Sequence, residues 1–164
     1  MAIRRVEVDN TIRKRCGELG LAEPTATAFI PTNLEQAPSV GDLVYEASTK
    51  TLRKLLRQAS FAESPVEPAG ASVSYLHEKA ADWVAPTLFF VGSFLQQNPT
   101  ILSIYVNILS NYIYDLFKGG VRVGKVKARL LIEDTPEKKL QLVEYEGDYR
   151  GIKELAKVVK ELKK

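Results

Sequence analysis

The sequence has one cysteine and one histidine among its 164 residues. A single cysteine excludes an intramolecular disulfide and fits a reducing compartment, so we expect a cytoplasmic protein. A single histidine excludes a histidine-rich metal site within one chain. No serine lies in a Gly-x-Ser-x-Gly elbow, and the amino terminus lacks the apolar segment of a secretory signal. The sequence therefore shows no catalytic signature and predicts neither a cofactor nor a metal.

Charge is missing from residues 83–114, although Asp, Glu, Lys and Arg make up 26% of the chain. This uncharged stretch is rich in large apolar side chains, each of which contributes about 1.5–3 kcal/mol when it leaves water. These side chains are covered by the protein's own core, by a partner subunit or by a lipid surface. The net charge of +3 is spread through the sequence, which disfavours nucleic acid as the partner.

The uncharged stretch predicts a helical hairpin as the centre of an α+β fold. Its first arm is expected over residues 74–97, with a kink near Ala85 because Pro86 removes a helix hydrogen bond. Its second arm is expected to begin at Asn98 and Pro99, a favourable pair at a helix start, and to end at Lys118.

The C-terminal third predicts a β-hairpin followed by an amphipathic helix. Apolar residues alternate with charged ones over 126–132 and return over 140–145, which is strand spacing. Asp148 can cap a final helix with one apolar stripe. Residues 74–164 then form one unit, and residues 1–68 a less regular portion that is separate or part of the same domain.

The N-terminal portion predicts short elements between irregular segments. Its two expected strands lie at residues 3–8 and 43–45, and its two expected helices at 11–19, ending at Gly20, and 49–60. Prolines and small polar residues make 21–42 irregular apart from an apolar patch at 28–30.

The second arm carries an uncharged polar stripe where a surface helix normally carries lysine and glutamate. Its members are Ser103, Asn107, Ser110, Asn111 and Tyr114. Three alternatives follow: a buried helix pair, an interface with another chain, or a hairpin lying in a membrane surface. The apolar part of each arm is shorter than the roughly 20 residues that cross a bilayer, which disfavours a simple transmembrane span. The candidate interface residues are Phe90, Phe94, Ile101, Ile104, Tyr105, Ile108, Leu109 and Tyr112.

A basic helix face is the candidate anion-binding site. It consists of Lys50, Arg53, Lys54 and Arg57, which can meet phosphates of anionic lipid or nucleic acid. No aromatic residue alternates with these cations to stack on bases. A solvated helix surface is the alternative interpretation.

Three further sets of residues are candidates for chemistry, and each also has an ordinary structural explanation. Cys16 lies among cations that favour a thiolate, but an inert thiol is the preferred interpretation. His77 is a general-base candidate whose default place is the surface. Glu144, Glu146 and Asp148 can hold a divalent ion, yet a solvated strand edge and a helix cap explain them as well.

The C-terminal half resembles small accessory proteins of bacterial conflict systems, of the effector-associated constant-component type. The similarity lies in the order of an uncharged middle (83–117), a β-hairpin (121–145) and a short amphipathic helix (148–164), with the junction sequence Tyr-Glu-Gly-Asp-Tyr-Arg-Gly at 145–151. It includes no catalytic residue. The resemblance implies a bacterial, non-enzymatic adaptor or sensor linked to a separate effector.

The sequence thus predicts a non-catalytic interaction or assembly module that associates, with itself or with another protein chain, through uncharged helices. The alternative is a membrane-associated or pore-forming component that uses the same hairpin. An enzyme of unknown class ranks third, and a nucleic-acid binder last.

Overall fold

The computed structural model describes residues 2–76, 82–118, 124–134 and 139–161, which form eight β-strands and five α-helices. The strands are β1 (Ala2–Val8), β2 (Thr27–Ile30), β3 (Val44–Tyr45), β4 (Ser74–Tyr75), β5 (Trp83–Val84), β6 (Thr87–Phe90), β7 (Val126–Glu133) and β8 (Leu140–Gly147). The helices are α1 (Thr11–Leu19), α2 (Thr49–Gln58), α3 (Gly92–Gln97), α4 (Ile101–Phe117) and α5 (Glu154–Glu161). The predicted α+β class, with a C-terminal strand pair followed by a helix, is confirmed.

Strand β7 lies in the middle of the main sheet, whose order is β1–β8–β7–β6–β2. The predicted hairpin of β7 and β8 pairs antiparallel, and β1 continues the sheet antiparallel to β8. On its other side β7 runs parallel to β6, and the short β5 also pairs with β7. Parallel neighbours need a long connection, and the segment that contains α3 and α4 supplies it between β6 and β7.

Each face of this sheet has its own apolar core. The alternating residues Val126, Ala128 and Leu130 of β7 belong to the core that α2, α4 and α5 cover. Leu131, on the other face of β7, packs against the core that α1 and the segment after β2 cover. The alternation predicted for β7 is therefore confirmed, and the sheet is a middle layer between two sets of covering elements.

The first arm of the predicted helical hairpin is wrong over most of its length. The structure places β4, β5 and β6 within residues 74–97, and α3 is the helix among the residues described there, 74–76 and 82–97. Strand β6 is bonded to β2 on one side and to β7 on the other, and Leu88, Phe89 and Phe90 are fully buried. A strand buried on both faces shows no polar alternation, so its pattern resembles that of a buried helix.

The second arm is confirmed as α4, but its predicted start at Asn98 and Pro99 is wrong. The N-cap position is two residues later than predicted, at Thr100. The Asn98 side chain instead donates a hydrogen bond of 3.1 Å to the carbonyl oxygen of Phe94. Asn98 therefore ends α3 and does not begin α4.

The N-terminal portion contributes two strands to the same sheet as the C-terminal unit. Strand β1 pairs with β8 over its whole length, and β2, which the sequence pattern missed, pairs with β6. Helix α1 ends at Gly20 as predicted, because that glycine adopts a left-handed φ of 70°. The predicted β3 and α2 are also confirmed, although α2 ends two residues early, at Gln58.

Candidate functional site

Helix α4 is the element on which the interface hypothesis depends. It lies over one face of the main sheet and contacts α2, α5 and the short 3₁₀ helix Tyr149–Lys153 that leads into α5. Its inner side is apolar and continuous with the core. The buried residues of α4 are Ile101, Leu102, Tyr105, Val106, Leu109, Ser110, Ile113 and Phe117.

Four of the eight predicted interface residues lie inside this core. Phe90, Tyr105 and Leu109 have no exposed surface, and Ile101 is 9% exposed. Their side chains pack within the chain itself, as the buried alternative of the sequence analysis requires. They provide no open surface to a partner, so for these four residues the interface assignment is corrected to a core assignment.

Three of the other four candidates, Ile104, Ile108 and Tyr112, lie on α4, and the fourth, Phe94, lies on α3. Ile104 is 39% exposed and Tyr114 is 46% exposed. Asn107 and Asn111 are exposed between them, and Ile108 is half-buried. We call these five residues the α4 ridge, since helical spacing places them on one face. Phe94 and Tyr112, also half-buried, lie outside this definition.

Two depressions flank the α4 ridge. The one toward α2 has a volume of about 500 Å³ and is lined by Leu55 and Ala59 of α2 together with Ile108 of α4. The one toward α5 has a volume of about 340 Å³ and is lined by Ser110 and Ala156, among others. The ridge and the two depressions have the shape of the ridges and grooves through which helices pack against one another.

Charge surrounds the α4 ridge without entering its centre. Asp115 and Lys118 pair at 3.2 Å beside its C-terminal end, and both are well exposed. The ammonium of Lys153 lies 5.9 Å from the ring centroid of Tyr114. The hydroxyl of Ser110, at the depression toward α5, is buried and has no hydrogen-bond partner among the described residues. The ridge is therefore apolar and amidic at its centre and ionic only at its margin.

The predicted anion-binding face is divided by the fold. Lys50, Lys54 and Arg57 are exposed, but the Arg53 side chain is only 15% exposed and pairs with Glu63 at 2.8 Å and Glu67 at 2.9 Å. Its positive charge is compensated inside the molecule. Anion binding by the three exposed cations stays a prediction.

Tyr45 belongs to the same buried cluster as Arg53, and its hydroxyl donates a hydrogen bond of 2.6 Å to Glu67. Burial, with the contribution of Glu67, raises the pKa of Tyr45 far above its usual value, so the hydroxyl stays protonated. We expect Tyr45→Phe to lower the free energy of unfolding by about 1–2 kcal/mol, because Glu67 loses a donor in a partly buried site. Urea denaturation measures this change. Tyr75→Phe is the matched control, and an equal loss in both variants would contradict the role of the hydrogen bond.

The remaining residues predicted as candidates for chemistry are buried, have partners in the fold or lie outside the residues that the structure describes. Cys16 is buried, and burial raises the pKa of its thiol, which favours the inert interpretation. Glu144 pairs with Arg4 at 2.6 Å, and Asp148 caps the 3₁₀ helix by accepting the backbone N–H of Arg150. His77 is outside the described residues.

Within the described ranges, no three His, Cys, Asp or Glu side chains are grouped to hold a metal ion. None of the helices in the same ranges combines the length and the apolar character of a membrane span.

Comparisons with known proteins found no relative of this chain. No protein-family model matches the chain. No curated protein and no solved structure matches it either. The fold and the α4 ridge therefore define a mixed α+β protein with a helical surface that carries charge only at its margin.

Proposed function

We propose that this protein is a non-catalytic assembly module whose copies associate through the α4 ridge. The observation that carries the proposal is the exposure of Ile104 and Tyr114 on a face of α4 whose charge, Asp115 paired with Lys118, lies at its C-terminal end. Exposed apolar side chains grouped on one face, with a polar margin, are typical of protein interaction sites.

The chemistry of the ridge favours a second copy as the partner. In a two-fold dimer, each residue near the axis meets the same residue of the partner. A lysine or glutamate there would repel its own copy, whereas a primary amide both donates and accepts hydrogen bonds. Asn107 and Asn111 can therefore pair with their copies, and Ile104 can pack against the partner's depressions.

The size of the surface is sufficient for a specific contact. Helix α4 has 17 residues, which corresponds to a length of about 25 Å. The neighbouring helices widen the face to about 30 Å, since packed helices lie about 10 Å apart. A face of about 25 by 30 Å approaches the roughly 800 Å² that each partner buries in a standard interface.

The resemblance of the C-terminal half to accessory proteins of conflict systems extends this proposal. Under it, the assembled module acts as an adaptor or sensor for a separate effector of a bacterial defence system. The uncharged ridge supplies the assembly step, and the effector supplies any catalysis.

We expect Ile104→Asp to prevent self-association without unfolding the chain. The carboxylate would lose its water at the contact without gaining a partner, which costs more than 1.4 kcal/mol and weakens association by at least about tenfold. Light scattering over a dilution series measures the mass of the wild-type chain and of the variant at equal concentrations.

Val6→Asp is the matched control for this experiment. Val6 is 38% exposed and lies on the sheet face opposite to α4, so the same chemical change should leave the association intact. Equal loss of association in both variants would contradict the proposal. A wild-type chain that stays monomeric throughout the series and sediments with lipid vesicles would assign the ridge to the membrane alternative instead.

A further inference from the structure

A cleft of about 350 Å³ lies on the sheet face opposite to the α4 ridge. Its floor is apolar and includes Leu131 of β7 together with Leu140 and Leu142 of β8. Ile12 of α1 and Ile30 of β2 close its sides. Clefts of this volume with apolar walls and a few polar groups are typical of sites for small ligands.

One end of the cleft is basic because Arg129 of β7 lines it. The Nε of Arg129 lies 3.9 Å from Oε1 of Glu144, which is beyond hydrogen-bonding distance. That oxygen already accepts a hydrogen bond of 2.6 Å from Arg4. The Arg129 side chain is half exposed, so its guanidinium keeps donors for an incoming carboxylate.

The other end of the cleft is acidic. Asp9 and Glu35, both exposed, lie at its rim beside Thr11, whose hydroxyl donates to the Glu35 carboxylate. The register of the sheet places Val8 opposite Leu140, and Leu140 opposite Glu133. Arg129 precedes Glu133 by four residues on β7, which separates the two ends by about 13 Å along the strands.

We propose that this cleft binds a short apolar peptide of three or four residues with free termini. The carboxylate of the peptide pairs with Arg129, its ammonium group pairs with Asp9 and Glu35, and its side chains cover the leucine floor. An extended tetrapeptide spans about 13–14 Å, which matches the distance between the two ends. The proposal does not rest on self-association, because the cleft and the α4 ridge lie on opposite faces of the sheet.

Charge complementarity favours a dipolar ligand over a simple amphipathic acid. An alkyl carboxylate would satisfy Arg129 but would place its apolar end against Asp9 and Glu35. A peptide with both termini free satisfies both ends at once, and charge-assisted hydrogen bonds are the stronger kind.

The test uses one tetrapeptide, Val-Leu-Ala-Leu, in four forms: free, N-acetylated, C-amidated and blocked at both ends. Titration calorimetry with the full chain measures the four dissociation constants. We expect the free peptide to bind most tightly and each block to weaken binding about two- to fivefold, as for a partly exposed ion pair.

Two variants assign the orientation of the peptide. Arg129→Gln should remove the penalty for C-amidation and keep the penalty for N-acetylation, and Glu35→Gln should reduce the penalty for N-acetylation alone. Lys157→Gln, on α5 at the opposite sheet face, is the control and should change neither. Absence of binding at millimolar peptide, equal affinity for the free and the doubly blocked forms, or equal effects of Arg129→Gln on all four would overturn the proposal.

Discussion

Leu109→Asp is expected to unfold the protein, whereas Ile104→Asp leaves it folded. The two residues lie on the same helix, but Leu109 has no exposed surface and Ile104 is 39% exposed. Removal of a buried leucine side chain costs about 3–5 kcal/mol through lost burial and the cavity that remains. The aspartate adds the cost of a charge in an apolar core without a partner. The sum is comparable to the roughly 5–15 kcal/mol that stabilises a typical domain.

Circular dichroism with urea denaturation measures both variants. Leu109→Asp should lose its cooperative transition, and Ile104→Asp should keep a transition within about 1 kcal/mol of the wild type, as exposed substitutions normally do. A folded Leu109→Asp would contradict the placement of Leu109 in the core. The comparison also decides which residues of α4 are fit for interface mutagenesis, because loss of association in an unfolded variant carries no information.

The second large effect is expected at Glu133, a carboxylate whose side chain is only 2% exposed. It accepts hydrogen bonds from Arg13 at 2.8 and 3.0 Å, from the Asn10 amide at 2.8 Å and from the backbone N–H of Gly92 at 3.2 Å. These donors come from α1, from the residue before it and from the start of α3. Glu133 therefore joins the start of α1 and the start of α3 to the end of β7.

Glu133→Ala should lower the free energy of unfolding by about 3–5 kcal/mol, because it leaves Arg13 without its main partner in a partly buried site. Urea denaturation again supplies the measurement. The double variant Arg13→Met with Glu133→Leu should recover part of the loss, since apolar side chains of similar size replace a buried ion pair at little cost. Additive losses in the double variant would show that the two residues do not act as a pair.

The same carboxylate predicts a pH dependence of stability. Burial alone would raise the pKa of Glu133, but the hydrogen bonds from Arg13, Gly92 and Asn10 outweigh it and hold the pKa below its usual value. A carboxyl group with a lowered folded pKa stabilises fully above its unfolded pKa of about 4.3 and loses that contribution as the pH falls through the folded value. The wild type should therefore lose more stability than the double variant on acidification below about pH 4. Parallel losses would contradict the assignment.

Local patterns in the sequence were sufficient for the elements that keep charged side chains on one side. The alternation in β7 and the amphipathic stripe of α5 each produced a correct prediction, because charged and apolar residues then follow the period of the strand or helix. The stop of α1 at Gly20 was predicted from the glycine itself, which adopts a left-handed φ readily. The run that became β5 and β6 had no such period. It is buried on both faces, and a buried strand and a buried helix are alike in composition.

The same sequence patterns located the helix of the candidate site but did not assign its residues to core or surface. The missing charge marked α4 as unusual, but it did not separate Leu109, which faces the sheet, from Ile104, which faces solvent. The buried ion pairs were even harder to predict from the sequence. Glu133 and Arg13 are 120 residues apart in the chain, and nothing near either position in the sequence indicates the partner.

The amino-acid sequence by itself determined the fold class, the position of α4 and the C-terminal strand pair with its helix, since each depends on contacts between neighbours in the chain. The tertiary structure decided which apolar residues became core and which became surface, which charges were compensated inside, and that a cleft opens on the face opposite to α4. Those outcomes depend on pairing between distant segments, such as β1 with β8, and such pairing leaves no local period.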